Sequence, residues 1–84
     1  MERQVTINHP EGLHARPASD FVEAAIPFQS KIEVVFQNKS VNAKSMLSLL
    51  KLGIEQGNSV VLRAEGPDAE QALETLGGIL ENTH

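Results

Sequence analysis

Cysteine, tryptophan and tyrosine are all absent from this chain, and phenylalanine occurs only three times. Without cysteine there are no disulfides to staple the fold and no thiolates to hold a metal, so packing alone must stabilise it. The same absence is compatible with a reducing compartment. So few aromatic rings leave little from which to build platforms for stacked bases, and positive charge is scarce too. Seven basic residues against eleven acidic ones give a formal charge of -4, so nucleic-acid binding is not expected. Long apolar runs are also missing. The opening MERQVTINHP carries charge from residue 2, unlike a secretory signal, and no segment approaches the roughly 20 apolar residues of a membrane span. A cytoplasmic protein without membrane insertion is expected.

What is present suits one domain over residues 1–84, with 40% hydrophobic residues and no repeat or linker. QVTIN alternates Val5 and Ile7 with polar neighbours, as a strand with one buried face does. Ala18, Phe21, Val22 and Ala25 follow helical spacing, and Pro27 is expected to stop that helix by pushing Ile26 out of the helical region. KIEVVF and SVNA read as a hairpin turning through QNK, where Asn38 tolerates positive φ. SMLSLLKLGI reads as a short helix with Ser45 as N-cap and Gly53 past its end. SVVLRAEG is a strand with Val60, Leu62 and Ala64 on one face. PDAEQALETLGGILEN is a last helix, capped by Asp68 in a capping box with Gln71, and Gly77 and Gly78 are expected to fray its final turn.

The resulting order, β-α-β-β-α-β-α, predicts an α+β open-faced sandwich: a four-stranded antiparallel sheet covered on one face by three helices. The patterns do not specify the order of strands in the sheet.

Chemistry concentrates in EGLHARPASDF. Pro17 is expected at the first helical position, where its missing N–H costs nothing. His14 and Ala15 then lie at the helix mouth, where unpaired amides and the positive end of the macrodipole favour an anion. Arg16 adds a fixed charge and several donors suited to phosphate. An imidazole there has a ring nitrogen able to act as nucleophile toward phosphorus. The plainer reading is a histidine that only hydrogen-bonds locally, and His9 is assigned to it. His9 and His14 have no evident third ligand for a metal, and His84 reads as solvated tail.

GLHARPAS, residues 12–19, resembles the active-site signature of the HPr family, the histidine-containing phosphocarriers of the bacterial phosphoenolpyruvate:sugar phosphotransferase system. NAKSMLSLLKLGI, residues 42–54, resembles that family's second signature, around a regulatory serine. Together with chain length and element order, the resemblance spans essentially all 84 residues. It implies that enzyme I passes a phosphoryl group to Nδ1 of His14, which hands it to a histidine on enzyme IIA of a sugar transporter. Arg16 would stabilise the phosphoryl group and Pro17 would set the helix start. The carrier would need no cofactor or metal and would not itself be an enzyme, and a monomer is expected. Glu23 and Ile26 stand where some relatives are basic, and Asn38 is a turn variant of the second signature.

Met46, Leu47, Leu49, Leu50, Leu52 and Ile54 cover more of the short helix than one core-facing stripe needs. Either that helix is deeply buried or part of it is an apolar contact patch. The resemblance selects the second and assigns Ala15, Met46, Leu47 and Leu50 to partner binding, with Arg16, Lys44 and Lys51 as a basic rim steering an acidic partner. Ser45 has a structural role as N-cap, and the resemblance adds a regulatory one. In many Gram-positive relatives an HPr kinase/phosphorylase modifies that serine and a catabolite-control transcription regulator then binds. Two other readings stay open: a paralogue serving a nitrogen-related or dihydroxyacetone-kinase phosphorelay, and a regulatory binding module acting through Ser45.

Overall fold

The computed structural model describes residues 1–81. Alternating side chains build its sheet. Strands β1 (Glu2–Thr6), β2 (Lys31–Phe36), β3 (Lys39–Asn42) and β4 (Ser59–Glu65) pair antiparallel in the order β1-β4-β2-β3. Val5 lies opposite Val60, Val34 opposite Leu62 and Ile32 opposite Ala64. All six are buried, so the register brings the apolar residues of neighbouring strands onto one continuous face. On the other face Arg63 sits opposite both Glu2 and Glu33 and pairs with each, at 2.9 and 3.5 Å.

Helix α1 (Ala15–Ala25) buries Ala18, Phe21, Val22 and Ala25 against the apolar face, as its spacing predicts. Helix α3 (Ala69–Leu80) buries Ala69, Ala72, Leu73, Leu76, Gly77 and Leu80. The six-residue α2 (Met46–Lys51) buries only Leu49. The four-stranded antiparallel sheet with three helices is the architecture expected from the element order.

Several local expectations need correction. The hairpin turns on two residues, Gln37 and Asn38, both at positive φ, and Lys39 is already in β3 opposite Phe36. Two left-handed residues match the twist of the flanking strands, so a longer turn is unnecessary. Helix α1 stops before Pro27 as expected, but Ile26, its C-cap, keeps helical angles and still donates to the Val22 carbonyl at 3.0 Å rather than being pushed out of the helical region.

The capping box on α3 does not form. Asp68 is the N-cap residue, but its carboxylate caps nothing in its own helix. It accepts instead the N–H groups of Gln29 and Ser30 at 2.9 Å each, and the Ser30 hydroxyl. Those unpaired amides in the loop between α1 and β2 compete successfully for the same carboxylate, which helix-local reasoning does not see. Helix α3 also runs through both glycines to Leu80. A Cβ at Gly77 would come within 2.9 Å of the Arg3 guanidinium carbon. The small residue therefore admits Arg3, which pairs with Glu81 at 2.9 Å.

Candidate functional site

His14 is the N-cap of α1, with extended backbone angles and no side-chain capping bond. Its carbonyl accepts the first intrahelical bond, from the amide of Ala18 at 2.9 Å. Pro17 therefore stands at the third helical position rather than the first. The physical reason for a proline survives this shift, since the first-turn N–H groups have no intrahelical partner wherever in that turn it sits. Among the described residues nothing accepts from the amides of Ala15 and Arg16, and the first turn holds no acidic side chain. The positive end of the helix is thus left uncompensated.

The His14 ring and the Arg16 side chain are exposed, and among the described residues neither has a hydrogen-bond or ion-pair partner. An exposed imidazole with both nitrogens uncommitted, two open amides and a guanidinium can receive a group that brings negative charge. No cluster of three or more metal-ligating side chains exists among the described residues.

The chain before His14 is held tightly. Residues 9–12 form a turn closed by a bond from the Gly12 amide to the His9 carbonyl at 2.9 Å, with Pro10 at its second position. Gly12 has φ +73, and a Cβ there would lie 2.5 Å from the Ile54 carbonyl and 2.7 Å from Glu55 Cα. Only glycine lets this backbone lie on that of residues 54–56. The Leu13 amide then donates to the Ile54 carbonyl at 3.0 Å.

That contact places the mouth of α1 beside the end of α2. His14 and Leu50 line one open cleft of about 550 Å³, together with Leu13, Ile54, Glu11 and Glu55 among others. On α2, Leu47 is 66% exposed and Leu50 38% exposed, whereas Leu49 is fully buried and Met46 is half-buried against the core. The helix is therefore neither deeply buried nor wholly a surface patch: it turns one leucine inward and two outward.

Of the three cations expected around this surface, Arg16 and Lys51 are exposed. Lys44 is half-buried, and its Nζ donates to the Phe28 carbonyl at 2.6 Å. Ser45 caps α2, its Oγ accepting from the Ser48 amide at 3.4 Å and donating to Ser48 Oγ at 3.0 Å. The two carboxylates in the cleft, Glu11 and Glu55, had no place in the sequence reading. They are far apart in the chain, and only the docking of Gly12 reveals that they share a cleft. His84 lies outside the described residues.

No helix among the described residues is long and apolar enough to cross a membrane. A family model described as the PTS HPr component phosphorylation site matches residues 1–82. The phosphocarrier protein HPr of Buchnera aphidicola is 46% identical over 79 residues, which cover 94% of this chain and 93% of that protein. The crystal structure of HPr from Thermoanaerobacter tengcongensis superposes with a TM-score of 0.94 at 46% identity, covering 99% of this chain and 93% of that one. Bacillus subtilis Crh, a catabolite-repression relative whose crystals hold a domain-swapped dimer, matches with a TM-score of 0.81 at 36% identity over 98% of this chain and 94% of its own. With sequence, fold and an open histidine at the mouth of α1 in agreement, the chain belongs to the HPr family of phosphotransferase-system phosphocarriers.

Proposed function

We propose that His14 accepts a phosphoryl group from phosphorylated enzyme I and donates it to a histidine of enzyme IIA. The observation that supports this most directly is the exposed His14 ring without an intramolecular partner, next to the open amides of Ala15 and Arg16. In the transfer, a lone pair on the His14 ring attacks phosphorus as the donor's phosphorus–nitrogen bond breaks and its electron pair returns to the donor ring. The incoming oxygens meet the two open amides, and the Arg16 guanidinium, exposed and without a partner among the described residues, is free to add its donors and charge. The chain carries the group, and its partners supply the remaining catalysis.

Leu47 and Leu50 form the centre of the docking surface, with Ala15, Met46, Arg16 and Lys51 beside them. Lys44 contributes through the α1–β2 loop it holds. We assign the protein, as one domain and a monomer, to the cytoplasm. Ser45 is a regulatory site for a serine kinase on the same reading: its hydroxyl caps α2 two residues before Leu47, so a dianion there changes the contact surface directly. The likeness to Crh favours a catabolite-control role for that modification.

The test is incubation with enzyme I and phosphoenolpyruvate. Acid-labile phosphate is expected on the wild type and none on His14→Ala, with both folded by circular dichroism. Equal labelling of the two would overturn the assignment. Parallel reactions with a nitrogen-related enzyme I and with a dihydroxyacetone-kinase donor distinguish the paralogue readings.

A further inference from the structure

We infer that His9 is a positioning residue for His14, tying the loop that presents the acceptor ring to the far end of α3. This inference rests on the phosphocarrier reading of His14. His9 does not bond locally: its Nε2 lies 2.9 Å from the carbonyl of Ile79, 70 residues away in the chain. A carbonyl only accepts, so Nε2 carries the hydrogen and the ring donates. Ile79 is in the last turn of α3, where its carbonyl is also approached by the Glu81 amide that closes the helix.

The neighbouring Asn8 completes the arrangement. Its amide donates to the Leu80 carbonyl at 3.2 Å and its Nδ2 to the Glu81 carbonyl at 3.3 Å. Residues 8 and 9 thus bring donors to the carbonyls of Ile79, Leu80 and Glu81 at the end of α3 from outside the helix. The loop to His14 then has two anchors. One is His9 on α3; the other is Gly12 and Leu13 on residues 54–56. Between them runs only the turn closed by the Gly12 amide on the His9 carbonyl. With the His9 bond lost, Asn8 still holds the chain to α3, but the turn after it is tied only at Gly12 and Leu13, and the direction in which the chain enters the N-cap of α1 is set less firmly. In-line attack on phosphorus depends on that direction.

The experiment compares His9→Ala, His9→Gln and Arg3→Ala in the full chain. Two readouts are used: hydrogen exchange of the Gly12 and Leu13 amides, and single-turnover transfer from phosphorylated enzyme I. His9→Ala is expected to speed both exchanges and to lower the saturating transfer rate about tenfold with KM unchanged. His9→Gln keeps an N–H donor and recovers most of the rate. Arg3→Ala removes a contact to the same end of α3 without touching the loop, and it keeps the wild-type rate.

A wild-type rate in His9→Ala overturns the inference, and so does an Arg3→Ala loss of equal size, which marks a general effect of loosening α3. Exchange unchanged in His9→Ala overturns it without any transfer measurement. Failure of the wild type to take up phosphate defeats the phosphocarrier reading instead, and the exchange data then judge the tether alone.

Discussion

The carboxylate of Asp68 and the hydroxyl of Ser30 hold each other reciprocally: Asp68 accepts from the Ser30 amide at 2.9 Å, and the Asp68 amide donates to Ser30 Oγ at 3.3 Å. Ser30 is 1% exposed, so the pair joins the loop after α1 to the start of α3. The bonds from the Ser30 hydroxyl and the Gln29 amide hold the Asp68 carboxyl below its ordinary value of 3.8.

A lowered carboxyl contributes stability above its unfolded value, and that contribution disappears as pH falls through the folded one. Asp68→Asn is therefore expected to unfold at lower urea concentration than the wild type at pH 7. The gap closes in acid, below the ordinary value of 3.8. Urea midpoints measured across that range check this, and a gap independent of pH would show that charge is not the cause.

Gly12 and Gly53 both have positive φ, at +73 and +66, but of the two only Gly12 has other atoms within 4 Å of the place a Cβ would take. Gly53→Ala carries left-handed strain alone, about 1–2 kcal/mol. Gly12→Ala adds collision with the Ile54 carbonyl and Glu55 Cα, so its stability loss should exceed that of Gly53→Ala. It should also slow phosphoryl transfer, because the loop before His14 must move. Thermal melts together with labelling rates decide this.

Leu47 is exposed and Leu49 fully buried, so docking and packing can be tested separately within one helix. Leu47→Ser should change stability within about 0.5 kcal/mol while raising the KM for enzyme I. Leu49→Ala empties a fully buried position and should cost about 2–5 kcal/mol. An unchanged KM in Leu47→Ser would remove Leu47 from the partner surface.

Ser45→Ala should lose about 1 kcal/mol through the missing cap. Ser45→Asp keeps a capping oxygen and so the helix, but places a charge beside Leu47 and should slow exchange with enzyme I. Equal transfer rates in wild type and Ser45→Asp would show that this end of α2 stays outside the contact.

The alternation of Ile32, Val34, Phe36 and of Val60, Leu62, Ala64 is enough to read two strands and their buried face, because β side chains repeat every second residue whatever surrounds them. Ser45 and Gly53 bracket α2 for a similarly local reason. Asp68 misled because its competitors, the amides of Gln29 and Ser30, come from a loop distant in sequence. The adjacent proline and the helix that follows were enough to place His14 and Arg16 at the mouth of α1, where both are exposed. Glu11, Glu55 and the role of His9 were not, since each depends on a partner segment more than 40 residues away.

By itself the sequence determined the type and order of the elements, the apolar faces of β1, β2, β4, α1 and α3 and the candidate acceptor histidine, because periodicity, capping and nucleophile chemistry act over a few residues. Only the tertiary structure decided the strand order β1-β4-β2-β3, the docking of Gly12 on residues 54–56 and the union of His14 with Leu50 in one cleft. Those depend on which distant surfaces fit together, and close packing selects among pairings that local patterns leave equivalent.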